Sequence, residues 1–258
     1  MKMMKLLRAG LVGLLLVHCD ATIIGNPVQV GLDIEGSRSP LQNRLHTRGQ
    51  SSFAATFSRA TVVLSRIRFR PLEACQGGSP EGDIEFEGPF VVDLLSHTAK
   101  PSIETLSLPA GLYCRVELRL DRLDEDEKPQ GIDASDAILD NSIRFEGEDK
   151  DGRPFVATLD DNEEFKIENE DDGFFLGEAG NELFFIVFDL TAWIENVDLA
   201  SAVDSGGIVY IDKDNNETLR STIRSNIKLS ARLYRDQNGD GDLSSDEKTA
   251  DDVLANGH

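Results

Sequence analysis

The sequence has few cysteines, histidines and positive charges, and each shortage excludes a class of function. Three cysteines and four histidines occur in 258 residues, with no Cys-x-x-Cys pair, so we expect no structural zinc site. Only 26 lysines and arginines stand against 47 aspartates and glutamates, which gives a formal net charge of −21. Such an acidic chain repels nucleic acid and attracts cations, so DNA or RNA binding is not expected.

Long apolar runs are also scarce, and the one notable run lies near the N-terminus. Residues 9–17 are apolar and follow the basic residues Lys2, Lys5 and Arg8. This run is too short to span a bilayer as a helix, and its basic leader is typical of an export signal. No other stretch is long and apolar enough to cross a membrane. We therefore expect the mature protein to leave the cytoplasm.

Cys19 directly follows this apolar region, and its position resembles the lipobox of bacterial lipoproteins, where the thiol is acylated. The resemblance predicts a membrane anchor at Cys19 and removal of the residues before it. His18 departs from the small residue that usually precedes that cysteine. The alternative is ordinary secretion with cleavage after Ala21.

Export determines how the remaining two cysteines are interpreted. In an oxidising compartment, Cys75 and Cys114 are predicted to form one disulfide. The alternative is a pair of separate buried thiols.

The clearest motif is the stretch 236–247, which matches all twelve positions of an EF-hand calcium loop. Gly241 stands at position 6, where the chain turns sharply, and Leu243 at position 8 is expected to point into the core. A hard cation that prefers six to eight oxygens accounts for the spacing of the predicted Ca²⁺ ligands, which are Asp236, Asn238, Asp240, Asp242 (through its carbonyl), Ser244 and Glu247. The alternative is a solvated acidic turn.

A second segment, Asp212–Asn216, resembles the start of another such loop. It has Glu217 in place of the glycine at position 6 and Ile223 in place of the carboxylate at position 12. We therefore favour a hairpin turn between two strands, although a second calcium site stays open.

Carboxylates are also dense between residues 160 and 172. They could form a second cation site or the paired acids of a glycoside hydrolase. A solvated, self-repelling hairpin is favoured, since a working acid needs burial that raises its pKa. Sequence motifs of serine hydrolases, zinc proteases and phosphate-binding loops are absent.

Alternating apolar residues predict many short strands after residue 59. The clearest alternation runs from Leu112 through Cys114 to Leu120, and residues 183–190 form a nearly continuous apolar run typical of a central strand. Residues 143–167 suggest a meander, and 227–233 suggest a strand that leads directly into the calcium loop. A short helix is expected after that loop. The pattern predicts an all-β protein.

Two segments, Gly88-Pro-Phe-Val-Val-Asp-Leu-Leu95 and Leu108-Pro-Ala-Gly-Leu-Tyr-Cys-Arg-Val-Glu-Leu118, resemble an envelope domain found in many bacterial lipoproteins. The resemblance covers residues 59–120 best. It implies a transthyretin-like or immunoglobulin-like β-sandwich and carries no catalytic residue.

The predicted organisation is a signal peptide at 1–19, a partly disordered tether at 20–58, a sandwich at 59–235, and a calcium loop with C-terminal segment at 236–258. Within the tether, the alternation of Val28, Val30, Leu32 and Ile34 indicates one strand. We expect no enzymatic activity and a structural, adhesive or ligand-binding role at the bacterial cell envelope, with an envelope protein or glycan as partner. The alternatives are an envelope polysaccharide hydrolase that uses acids near 160–172 and an accessory subunit of an envelope complex.

Overall fold

The computed structural model describes residues 27–38, 55–77, 83–169, 172–177 and 180–258. The predicted signal peptide and the predicted lipidation site Cys19 lie outside these residues. The described residues contain three helices, α1 Leu72–Cys75, α2 Leu190–Trp193 and α3 Glu217–Ser230, together with 3₁₀ turns at Glu125–Glu127, Leu199–Ser201 and Ala250–Asp252. None of the described helices is long and apolar enough to cross a membrane.

The described part of the chain is mostly β, which confirms the predicted class. Its fourteen strands are β1 Pro27–Ser37, β2 Thr56–Pro71, β3 Ile84–Asp93, β4 Thr98–Lys100, β5 Leu106–Pro109, β6 Gly111–Leu120, β7 Ile143–Glu148, β8 Pro154–Leu159, β9 Glu163–Glu168, β10 Phe174–Leu176, β11 Asn181–Asp189, β12 Val209–Ile211, β13 Ala231–Arg235 and β14 Ala255–Gly257.

Hydrogen bonds join these strands into one curled, mixed sheet. Its main order is β12-β8-β7-β2-β6-β9-β14-β13-β11-β1-β5, while β3 pairs with β2 and β4, and β10 pairs with β6. The pairs β1–β11 and β12–β8 are parallel, and the other strand pairs are antiparallel. The three-residue strand β14 lies between β9 and β13 and so connects the two halves of the sheet.

Strand β1 belongs to this sheet, although it lies within the segment interpreted as a tether. Its apolar residues alternate, so that Val28, Val30, Leu32 and Ile34 are buried in the main core. Burial of one face of a strand produces this period of two. The sheet therefore begins at residue 27 rather than at residue 59.

The run from Leu183 to Leu190 forms a central strand, as predicted. Strand β11 lies between β1 and β13. Phe184, Ile186 and Phe188 face the main core, whereas Phe185 and Val187 belong to a second buried cluster. A strand that is buried on both faces has a nearly continuous run of apolar residues in its sequence.

The prediction of a strand over residues 227–233 is wrong in its first part. Residues 217–230 form helix α3, whose buried residues are Arg220, Ile223, Ile227 and Ser230. Their spacing of three and four residues fits a helix, and Leu229 is exposed. Only residues 231–235 continue as a strand, so the strand that precedes the predicted calcium loop was predicted correctly.

Leu112 was expected in the core, but 45% of its surface is exposed. The pairing of β6 with β2 shifts by one residue, since Arg115 pairs with Arg70 and Tyr113 pairs with Pro71. Cys114 is the extra residue of this bulge. An extra residue reverses the faces of the strand, so Tyr113 is buried and Leu112 points outward.

Two further expectations need correction. Strands β7 and β8 form a hairpin, but β9 pairs with β6 and β14, so residues 143–167 are not a meander. The segment after the calcium loop contains only the 3₁₀ turn Ala250–Asp252 and then β14, in place of a short α-helix.

Candidate functional site

The predicted calcium loop lies on the outer face of the sheet, between β13 and β14. Its first residue is fixed to the sheet, because the backbone N–H of Asp236 donates to the carbonyl of Leu183 at 2.9 Å. After the loop, the N–H of Leu254 donates to the carbonyl of Leu233, also at 2.9 Å. Both ends of the loop segment are therefore held by neighbouring strands.

The first half of the loop is ordered by its own side chains. The two carboxylate oxygens of Asp236 accept hydrogen bonds from the N–H groups of Gly239 and Gly241, at 2.6 and 2.9 Å. Asn238 Oδ1 accepts from the N–H of Asp240, and Asp240 Oδ1 accepts from the N–H of Asp242. Asp and Asn residues at alternate positions favour such successive turns, in which a side-chain oxygen accepts a hydrogen bond from a backbone N–H further along the chain.

Gly239 and Gly241 allow this tight winding. Their φ angles are 74° and 86°. This left-handed region is accessible to glycine without a steric penalty, whereas a side chain at either position is strained. The glycine expected at position 6 is therefore required by the backbone itself.

Glu247 joins the two ends of the loop. Its Oε1 accepts from the N–H groups of Gln237 and Asn238 at 2.9 and 3.3 Å, and its Oε2 accepts from the N–H and the hydroxyl of Ser244 at 3.0 and 2.9 Å. These bonds, the N–H of Ser244 first, lower the pKa of the Glu247 carboxyl. The residue is only 7% exposed. The folded loop therefore holds an ionised carboxylate at position 12.

Leu243 attaches the loop to the sheet, as its position predicts. It is 8% exposed and belongs to a cluster with Phe185, Val187 and Tyr234 on the face opposite the main core. This contact explains why β11 is apolar on both faces. The loop and the sheet thus share a small hydrophobic core.

A polar group beside the loop was not recognised from the sequence. Glu35 on β1 is 4% exposed, and Lys248 Nζ lies 2.7 Å from its carboxylate, while His97 Nδ1 lies at 3.4 Å. Burial raises the pKa of nearby Asp33, with the charges of Glu35 and Asp242 adding to the effect. Only a tertiary contact of β1 with the C-terminal segment brings these residues together, so no sequence pattern signals them.

The donor set of the loop fits Ca²⁺ chemically, since all predicted ligands are oxygens. Within the described residues, however, no three carboxylate, histidine or cysteine side chains converge closely enough to hold a metal ion. The carboxylates of Asp236, Asp240 and Glu247 accept hydrogen bonds from N–H groups of the loop. The predicted ligand set also includes groups that are not carboxylate, histidine or cysteine side chains. These are the amide of Asn238, the backbone carbonyl of Asp242 and the hydroxyl of Ser244.

The carboxylates near residue 160 are paired with helix α3, so the solvated, self-repelling hairpin is wrong for them. Arg220 contacts Asp160 and Asp161 at 2.7 and 2.6 Å. Glu163 pairs with Arg224 and with Lys228, the latter at 2.9 Å. The sequence did not show this because the helix was not recognised.

The Asp212–Asn216 segment forms a turn between β12 and α3, not a hairpin between two strands. Asp212 Oδ1 accepts from the N–H groups of Asp214 and Asn215 at 2.8 and 2.7 Å. Asn216 has a φ of 52° and directly precedes the helix. These contacts give the segment a local structural role.

The predicted disulfide is confirmed, since Cys75 and Cys114 are bonded across a separation of 39 residues with their Cα atoms 6.5 Å apart. It joins α1 to the bulge in β6.

Comparisons with protein-family models, with curated proteins and with solved structures find no match for this chain.

Proposed function

We propose that this protein is an exported, lipid-anchored calcium-binding β-protein with a structural, adhesive or ligand-binding role at the bacterial cell envelope. The observation that carries the proposal is the loop 236–247, which combines the full twelve-position pattern with a fixed position between two strands. The resemblance of residues 88–95 and 108–118 to envelope lipoproteins supports the location and a transthyretin-like or immunoglobulin-like sandwich.

In this proposal, calcium is held by oxygens from one continuous segment. Asp236, Asn238 and Asp240 supply side-chain oxygens, Asp242 its carbonyl, and Ser244 a direct or water-mediated contact. Glu247 supplies two carboxylate oxygens. When bound, the cation supplies positive charge that balances three acidic side chains, and it performs no chemistry on a substrate.

The role we infer for calcium is that of a structural clamp. The loop connects β13 to β14, and β14 fills the gap between β13 and β9. A cation that fixes the loop therefore also fixes the last strand of the sheet. A strand, not a helix, precedes the loop, so the opening movement of paired EF-hands is not expected. We expect a Kd for Ca²⁺ of about 10⁻⁵ to 10⁻³ M, which suits the calcium concentrations outside the cell.

Calorimetric titration with Ca²⁺ and with Mg²⁺ tests this proposal. We expect Ca²⁺ to bind and Mg²⁺ to bind more weakly, because Mg²⁺ demands a tight octahedron and keeps its waters. Glu247→Gln should abolish most of the Ca²⁺ heat. Asp246→Asn is the matched control, since this exposed carboxylate occupies loop position 11, which supplies no ligand. No Ca²⁺ heat in the wild type, or equal loss in both variants, contradicts a calcium site here.

The anchor is tested separately by mass spectrometry of the exported protein. We expect the mature chain to begin at acylated Cys19, and Cys19→Ser should release it or leave it unprocessed. An unacylated mature chain beginning at Thr22 contradicts the anchor and favours ordinary secretion.

The ion pairs of Asp160, Asp161 and Glu163 argue against the alternative of a polysaccharide hydrolase. Arg220 contacts both aspartates, and Arg224 and Lys228 contact Glu163, so basic side chains of α3 already occupy these carboxylates. These carboxylates are therefore better suited to fix α3 on the sheet.

A further inference from the structure

Two large apolar side chains are exposed next to each other at one end of the sheet. Phe175 on β10 is 51% exposed, and its direct cross-strand partner on β6 is Leu112, which is 45% exposed. Cross-strand partners lie about 4.5–5.5 Å apart at their Cβ atoms, so the two side chains form one patch. We refer to Leu112 and Phe175 as the apolar pair.

The backbone around the apolar pair is fixed, so the exposure is built into the fold. The neighbours Phe174 and Leu176 are both buried, which turns Phe175 outward by the period of the strand. Arg235 donates a hydrogen bond to the carbonyl of Phe175. The bulge at Cys114, which the disulfide ties to Cys75, turns Leu112 outward in the same way.

The described chain enters the sheet at this same end. Pro27, the first residue of β1, pairs with Pro109 of β5, and the turn after Pro109 leads at once into β6. There, Gly111 pairs with Leu176, next to the apolar pair. The N-terminal entry point and the apolar pair are therefore neighbours.

The chain between Cys19 and Pro27 limits how far this end can lie from an anchor. Seven residues lie between the two positions, which makes eight steps along the chain, and a fully extended chain covers at most about 3.3–3.6 Å per step, or about 29 Å in total. An acyl chain at Cys19 therefore keeps the apolar pair close to the bilayer.

We propose that the apolar pair contacts the boundary between headgroups and acyl chains of the membrane that holds the anchor. This inference rests on the proposed lipid anchor and adds an orientation to it. Aromatic and aliphatic side chains bury favourably at this depth, and stable attachment is commonly reached by a lipid chain together with a second membrane contact. With a net charge of −21, an apolar contact with zwitterionic lipid is favoured over an ionic contact with an anionic surface.

The test uses the acylated full-length mature protein in phosphatidylcholine vesicles that carry brominated acyl chains. Tryptophan is placed at the apolar pair by Phe175→Trp, and its quenching is compared with that of Leu229→Trp. Leu229 is also exposed, at 58%, but it lies just before the first residue of β13. The apolar pair lies at the opposite end of β13, where Arg235 contacts Phe175. The native Trp193 is fully buried and gives the same background in both variants.

We expect the tryptophan at 175 to be quenched at least about twofold more than the one at 229. Equal quenching in protein that sediments with the vesicles overturns the contact and leaves the anchor intact. Protein that is not acylated and does not sediment overturns both. The last outcome concerns Phe175→Trp combined with Cys19→Ser in soluble protein. If its tryptophan emission spectrum shifts with protein concentration, a second copy of the chain covers the apolar pair, and the lipid contact is overturned.

Discussion

Replacing Leu243 with alanine separates the packing of the loop from its charge. Leu243 is 8% exposed and packs against Phe185, Val187 and Tyr234. The change removes three buried carbons, each worth about 0.8 kcal/mol, and the loop can partly collapse into the space. We therefore expect a loss of about 2–3 kcal/mol in the free energy of unfolding, or about 5–10 °C in melting temperature.

The assay is equilibrium unfolding in urea at fixed calcium, followed by the fluorescence of Trp193. This residue is fully buried and lies 5.2 Å from the ring of Phe145, so its emission reports loss of the main core. Leu229→Ala is the matched control, since the same atoms are removed from an exposed site, and it should change stability by less than about 0.5 kcal/mol.

Calcium affinity should fall along with stability in Leu243→Ala, because the leucine holds the loop in its folded position. If Leu243→Ala unfolds at the same urea concentration as Leu229→Ala, the loop does not share a core with the sheet, and the clamp loses its mechanical basis.

Three other perturbations test separate parts of the account. Replacing Cys75 and Cys114 together by serine should lower the free energy of unfolding by about 4 kcal/mol in urea, the chain-entropy value for a closed loop of this size; an unchanged midpoint contradicts this value. Glu163→Gln should lower the free energy of unfolding by about 2 kcal/mol in thermal melts, because this side chain is only 7% exposed and its charge pairs with two basic side chains. The control Glu125→Gln, on an exposed turn, should leave the free energy of unfolding almost unchanged. The lowered pKa of Glu247 means that its ionised form stabilises the fold above its ordinary pKa of 4.5, and that this stabilisation is lost as pH falls through the lowered value. The stability difference between wild type and Glu247→Gln in a chelator should therefore be full at pH 7 and shrink as the pH falls below 4.5; a pH-independent difference argues against an ionised Glu247.

The sequence predicted the features that depend on local pattern. The apolar run of β11 and the strand before the predicted calcium loop were recognised from their apolar pattern. The disulfide was predicted because only two cysteines remain in a chain expected to be exported. Leu243 was expected in a core because position 8 of such loops is apolar. In these places a single element determines which side chains are buried.

Features that depend on contacts between distant segments were not predicted. The last turn of helix α3 was taken for a strand because Ile227, Leu229, Ala231 and Leu233 alternate across the boundary between helix and strand. The outward position of Leu112 follows from a bulge that only the pairing with β2 reveals. The group around Glu35 exists only because β1 and the C-terminal segment meet in the fold.

The central claim is that calcium in the loop fixes the strands on either side of it. Amide hydrogen exchange in calcium and after its removal with EGTA tests this most directly, with the β7–β8 hairpin as an internal reference. We expect slower exchange with calcium in Ala231–Arg235 and Ala255–Gly257, and a smaller change in the reference hairpin. The same exchange rates in calcium and in EGTA across both strands would contradict the account.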